Sequence, residues 1–154
     1  PVIRAMPNTP AQIGKGISAI AVGAKASSDD LKIAMELFST TGEVVVVSED
    51  KIDAVTALSG SGPAYFFAFV EEMIKSGISL GLSSEQATTL AIQTMVGSAA
   101  MLEQSGKSAA TLRENVTSPN GTTAAALYVF DKKDIEKIVS EAMAAAKKRA
   151  QELA

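Results

Sequence analysis

The sequence predicts a short α/β segment followed by a longer all-helical one, mainly α overall. Three observations predict this. β-branched and apolar runs bounded by glycine and proline cluster before residue 48. After Glu49-Asp50 the apolar residues recur at helical spacing to the end of the chain. Alanine is abundant while aromatics make up only 5% of the 154 residues, a composition suited to helices that approach closely.

Val2 to Met6 reads as a strand, ended by Pro7-Asn8-Thr9-Pro10. Ile17 to Val22 is a second, between Gly16 and Gly23. Ser27-Ser28-Asp29-Asp30 caps a helix carrying Leu31, Ala34, Met35, Leu37 and Phe38, with a stop expected at Gly42. Val44 to Val47 is a third strand, β-branched throughout and so expected to be buried on both faces. This strand–strand–helix–strand piece is too short to close its own core. It opens on what reads as an interior strand, without an initiator methionine or a signal-peptide layout, so the chain is expected to begin inside a larger domain.

Residues 51 to 58 predict a short helix broken at Ser59-Gly60-Ser61-Gly62. Pro63 then opens a long helix through Phe66, Phe67, Phe69, Val70, Met73 and Ile74 to a stop near Gly77. Its first half is apolar on nearly every side, which implies more than one neighbour. The next helix runs from about Ser84 to Gln104, with Ala87, Ala91, Thr94, Gly97 and Ser98 as small positions for a close partner. Residues 108 to 114 form a short helix, and Asp134 to Leu153 an amphipathic one. Helices so apolar bury their surface best against a second copy, so an intertwined homodimer is expected.

Composition narrows the chemistry. With no cysteine there is no thiolate nucleophile and no Cys-based metal site. With no histidine, acid–base work falls to carboxylate, lysine, tyrosine, hydroxyl or backbone groups, or to a cofactor. A net charge of −3 without a basic, aromatic-interleaved patch argues against nucleic acid. No run has the roughly 18 apolar residues of a membrane span.

The stretch with the clearest functional signal is Val116-Thr117-Ser118-Pro119-Asn120-Gly121-Thr122-Thr123. Ser118-Pro119 is a helix-start signature, and the four residues after it are small and polar. Small residues leave first-turn N–H groups open to a carboxylate or phosphate. A plain capped surface helix gives the same letters. An Asn120-Gly121 hairpin is set aside because its flanks do not alternate. Residues alone yield a candidate anion site.

Together with Arg4-Ala5-Met6-Pro7-Asn8-Thr9-Pro10 and Ala57-Leu58-Ser59-Gly60-Ser61-Gly62-Pro63-Ala64-Tyr65, this stretch resembles the pyrroline-5-carboxylate reductase family over the whole chain. The resemblance implies residues 1–48 as the last part of an NAD(P)-binding Rossmann domain, with its first part missing, and 49–154 as a helical dimerisation and substrate-binding domain. A G-x-G-x-x-G fingerprint is absent, and Gly60-Ser61-Gly62 lacks the third glycine.

The implied activity is reduction of 1-pyrroline-5-carboxylate, a cyclic imino acid, to L-proline with NADPH or NADH. The resemblance implies a cytoplasmic enzyme that completes proline biosynthesis, and leaves open whether its homodimers assemble further. Glu49, Asn115, Ser118, Gly121, Thr122 and Thr123 are the implied substrate residues, with the Thr123 hydroxyl beside the ring nitrogen as the catalytic group. Met6, Asn8 and Asn115 are the implied cofactor contacts. Pro7 and Pro10 equally well just end a strand, and without the resemblance Glu49 reads first as a carboxylate that starts a helix. Asn120 stands where the family usually has glycine, the least costly replacement if φ is positive there.

Two other readings stay open. A β-hydroxyacid-type dehydrogenase needs a lysine near the glycine break, yet none precedes Lys75 in the long helix. A helical assembly module without catalysis is the other. Tyr65-Phe66-Phe67 reads as core and dimer contact, and no metal site is expected.

Overall fold

In the computed structural model, residues 1–153 are described; Ala154, the last residue of the expected helical domain, lies outside them. They form two compact units, Pro1–Phe66 with the residues from Ser140 on, and Phe67–Val139.

The first unit is built on a three-stranded sheet in the order β1 (Ile3–Met6), β2 (Gly16–Val22), β3 (Gly42–Val46). β1 pairs antiparallel with β2, and β2 parallel with β3 across the crossover helix α1 (Ser28–Ser39). The core sits on β2, where Ser18, Ala19, Ile20 and Ala21 are buried. Truncating Ile20 there would cost about 2–5 kcal/mol. α1 begins at a capping box: Asp30 N–H donates to Ser27 Oγ at 3.2 Å, and Ser27 N–H to Asp30 Oδ2 at 2.7 Å. Gly42 takes φ 149 and lies against the Gly16 backbone, its partner in the register, so no side chain fits.

Within these residues β1 ends the sheet on one side; its expected interior place belongs to the larger domain in which the chain is expected to begin. One expectation for the sheet fails: β3 is the other edge, and Val45 and Val46 are 44% and 49% exposed, not buried on both faces. A β-branched run specifies an extended backbone, not how many neighbours it has.

A 3₁₀ turn (Glu49–Lys51), helix α2 (Ile52–Val55) and a π turn (Thr56–Gly60) lead into α3 (Gly62–Ser79). The helical path therefore runs through Ser59-Gly60 and breaks only at Ser61. Ser61 N–H reaches back five residues to the Thr56 carbonyl at 2.8 Å. The Tyr65 hydroxyl donates to the Ala57 carbonyl at 2.9 Å, closing the widened turn. Ile52 and Ala57 are buried.

α3 ends at Ser79, two residues beyond Gly77, near which its stop is expected. The chain leaves the helix through Gly81, whose φ of 101 supports a left-handed cap in which Leu82 N–H bonds the Gly77 carbonyl and Gly81 N–H the Ile78 carbonyl. The aromatic half of α3 is not covered within this chain: Phe66 is 61% and Phe67 68% exposed.

In the second unit, α4 (Ser84–Gln104) matches its expected bounds and starts at a Ser83/Gln86 capping box. Ala87 and Ala91 are buried, whereas Thr94, Gly97 and Ser98 are exposed. α5 (Ala109–Asn115) and α6 (Thr122–Lys132) follow, and Phe69 and Phe130 meet with ring centroids 6.1 Å apart. α7 (Ile135–Leu153) starts where Asp134 accepts the Lys137 N–H at 3.2 Å.

Candidate functional site

The helix expected to begin at Ser118-Pro119 begins three residues later, capped at Gly121 with Thr122 its first residue. Ser118, Pro119, Asn120 and Gly121 form a β-turn in which Gly121 N–H donates to the Ser118 carbonyl at 3.0 Å. Pro119 presets the second position, and Asn120 takes φ 58 at the third. The condition set for asparagine in place of glycine is thus met. Ser118 does not cap the helix; Gly121 does, in extended conformation with φ −81 and ψ 176.

This turn leaves the start of α6 bare. Gly121 has no side chain to offer, and no side chain among the described residues caps the helix. The first intrahelical bond is Ala125 N–H to the Gly121 carbonyl at 3.1 Å. The N–H groups of Thr122, Thr123 and Ala124 therefore precede the ladder, at the positive end of the helix dipole. A Cβ on Gly121 would fall well inside contact of Ser118 Oγ and 3.2 Å from the Ser118 carbonyl oxygen. Glycine is favoured there by close approach, not by φ. Thr122 is exposed and Thr123 half-buried, so two hydroxyls flank the open amides.

Asn115 is the last residue of α5 and is exposed. The chain turns directly after it. Val116 and Thr117 N–H donate to the Arg113 and Glu114 carbonyls, and Thr117 Oγ1 to the Arg113 carbonyl at 2.6 Å. The second unit therefore holds Asn115, Ser118, Gly121, Thr122 and Thr123 in one short loop-to-helix segment.

The first unit holds Met6, Asn8 and Glu49. Met6 ends β1, with its Cε packed where a Cβ on Gly60 would stand. Asn8 Oδ1 accepts the Ile17 N–H at 3.0 Å, which fixes the loop to β2 and leaves the carboxamide NH₂ as its remaining handle. Glu49 opens the 3₁₀ turn, and its Oε1 accepts from Arg4 Nη1 at 2.5 Å. Its neighbours compensate each other: the Lys51 ammonium, then the Ser48 hydroxyl, holds Asp50 below the usual carboxylate range, and Asp50 raises Lys51.

Arg4 and Gly60 are structural contributors without an assigned role in the sequence, and Tyr65, expected as core and dimer contact, also closes the π turn through its hydroxyl. Only the presence of Arg4 and Gly60 in the quoted stretches signalled them. Lys75, the first lysine of α3, sits 2.7 Å from both Glu71 and Glu72, and Glu71 foremost raises its pKa. Lys75 thus stands in a surface ion-pair cluster far along α3 from the glycine break, where the β-hydroxyacid reading needs its lysine. Among the described residues, no cluster of three or more acidic residues is placed to hold a metal. No helix of those residues is long and apolar enough to cross a membrane.

Residues 49–153 match the family model described as pyrroline-5-carboxylate reductase dimerisation. Pyrroline-5-carboxylate reductase of Mycobacterium tuberculosis is 45% identical over 99% of this chain and 58% of its own length. That of Arabidopsis thaliana is 42% identical over 98% of the chain and 55% of its own. A solved pyrroline-5-carboxylate reductase from Coxiella burnetii superposes with a TM-score of 0.95 at 38% identity, over 99% of this chain and 57% of that one. The Plasmodium falciparum pyrroline carboxylate reductase solved with NADP bound gives 0.90 at 34% identity, over 97% and 61%. The chain thus spans little more than half the length of the relatives it matches. On these matches, the chain belongs to the pyrroline-5-carboxylate reductase family.

Proposed function

We propose that this chain carries the substrate-binding and assembly part of an enzyme that reduces 1-pyrroline-5-carboxylate to L-proline with NADPH or NADH. The single observation that carries the reading is the uncapped start of α6, with Gly121 pressed against Ser118 and three amides ahead of the helical ladder. Such a start suits a carboxylate on a small ring: it offers several N–H donors and a favourable dipole without a cationic side chain.

In this reading the amides of Thr122, Thr123 and Ala124 hold the substrate carboxylate. The Thr123 hydroxyl meets the ring nitrogen as hydrogen-bond partner or proton donor, and Glu49 and Asn115 complete the contacts. Residues 1–48 are the end of a cofactor domain and 49–154 the helical dimerisation domain, a boundary supported by the family match starting at 49. Met6, Asn8 and Asn115 line the nicotinamide side. Asn8 fits that task through its free NH₂, since its oxygen already serves Ile17. A bound nicotinamide supplies the hydride; the chain's own groups orient the imine and screen charge. No histidine is needed, because a protonated imine is already electrophilic. The exposed aromatics of α3 support a homodimer, and the setting proposed is cytoplasmic proline synthesis.

The test uses the full-length protein, with oxidation of NADPH and NADH followed in the presence of 1-pyrroline-5-carboxylate. Replacing Thr123 with Ala should lower kcat by about tenfold or more while KM moves less. An unchanged kcat removes Thr123 from its role. A wild-type protein that oxidises neither nucleotide overturns the reading.

A further inference from the structure

Strand β1 alternates between two attachments. Ile3 and Ala5 share a groove with Ile33, Ala34, Leu37 and Phe38 of α1. Arg4 and Met6, at the intervening positions, point to the opposite face. There Arg4 Nη1 reaches Glu49 Oε1 at 2.5 Å, and the Met6 methyl packs on Gly60. Glu49 and Gly60 bracket the 3₁₀ turn, α2 and the π turn, so one strand face touches both ends of that connection.

The π turn sets which way position 60 faces. One extra residue in a helical turn rotates whatever follows by about 100°. The Ser61-to-Thr56 bond and the Tyr65 hydroxyl on the Ala57 carbonyl hold that widened turn shut. Neither contact is strong enough to matter much for folding. The ion pair is half-exposed, 48% on Arg4 and 58% on Glu49, a setting in which such pairs contribute little. The Gly60 contact falls on the far end of a flexible side chain. Both contacts instead lie next to residues assigned to the ligands.

We propose that Arg4 and Gly60 are positioning residues: with Met6 they form a two-point clasp that sets the Met6-Pro7-Asn8 loop and the Glu49 carboxylate in register with each other. Arg4 acts through Glu49 on the imino acid, and Gly60 acts through Met6 on the nicotinamide nucleotide. The inference rests on the function proposed above. Because both contacts spring from one four-residue strand, a shift at either end is felt at the other.

The experiment compares Arg4→Ala, Arg4→Lys, Gly60→Ala and the double variant Arg4→Ala/Gly60→Ala in the full-length protein. It measures kcat, both KM values and the thermal midpoint. Arg4→Ala should raise KM for 1-pyrroline-5-carboxylate by about threefold to tenfold, and Gly60→Ala should raise KM for the nucleotide by a similar factor. Arg4→Lys should recover part of the loss, since it keeps the charge without the fork. Each single change should also move the other ligand's KM, and in the double variant each KM should rise by less than the product of the two single effects on that same KM. Unmoved KM values overturn the clasp, as does a fall in kcat that only tracks a lower thermal midpoint. Fully multiplicative effects also overturn it, because they describe two unconnected contacts. Inactivity of the wild-type protein sinks the functional reading itself, whereas wild-type activity with unmoved KM values sinks the clasp alone.

Discussion

Replacing Gly121 with Ala perturbs the start of α6 at its tightest point. The backbone there, φ −81 and ψ 176, accepts alanine without strain, so the cost comes from contact alone. The added methyl overlaps Ser118 Oγ and sits 3.2 Å from the Ser118 carbonyl oxygen, while Ser118 Cβ at 3.6 Å is in ordinary contact. Rotating the serine side chain relieves the first clash for about 0.5–1.5 kcal/mol if it ends off its preferred rotamer. The carbonyl must give by a few tenths of an ångström, and alanine is a poorer N-cap than glycine by a similar amount. The total is about 1–3 kcal/mol of stability. The methyl also narrows the space before the open amides, and about a tenfold loss of carboxylate affinity, roughly 1.4 kcal/mol, is expected.

Calorimetric titration of the full-length protein with L-proline, alongside KM for the imino acid and the thermal midpoint, separates the two effects. In the double variant Ser118→Ala/Gly121→Ala the Oγ clash is gone, so the part of the stability lost to that clash should return while affinity stays low. A folded Gly121→Ala protein with wild-type KM and proline affinity would refute the placement of the carboxylate.

Three further outcomes are expected. The two capping boxes should differ in acid: Ser27 N–H, then its hydroxyl, holds Asp30 below the usual carboxylate range. A depressed folded pKa gives stability that is present above the unfolded value and lost as pH falls through the folded one. Denaturant titrations should therefore show the penalty of Asp30→Asn shrinking below about pH 4, while that of Ser83→Ala, about 1 kcal/mol, holds there because Gln86 does not titrate. Gly42→Ala forces a side chain onto the Gly16 backbone, whose nitrogen is only 2.6 Å from the added carbon, and should cost about 3 kcal/mol or more in urea unfolding. Phe67→Glu places a charge on an exposed aromatic face, and sedimentation should show the full-length protein shifting from dimer, or a multiple of it, towards monomer; a wild-type monomer at micromolar concentration would contradict the homodimer.

Local rules were legible and long-range ones were not. Ser27-x-x-Asp30 and Ser83-x-x-Gln86 mark their helix starts because a cap is a contact between residues three apart. Ser118-Pro119 misleads for the same reason: serine-proline opens a β-turn as readily as a helix, and the positive φ of Asn120 decides for the turn. Gly60 and Gly77 look like breaks, yet a helix tolerates glycine for about 1 kcal/mol. The chain leaves α3 only through Gly81, where the cap needs a left-handed residue. An open first turn was legible as a run of small polar residues, but three residues too early: the amides ahead of the ladder are those of Thr122, Thr123 and Ala124, not those just after Pro119. The Arg4–Glu49 pair, 45 residues apart in sequence, leaves no local trace. Exposure of Val45, Val46, Phe66 and Phe67 could not be read from letters that describe what a residue prefers, not whether one chain supplies it.

The claim on which the mechanism turns is that backbone amides at the start of α6 hold a carboxylate. Amide NMR shifts of the full-length protein titrated with L-proline measure this directly. The account predicts saturable shifts at Thr122, Thr123 and Ala124, reduced in Gly121→Ala. Saturable binding that leaves those three amides unmoved would contradict it.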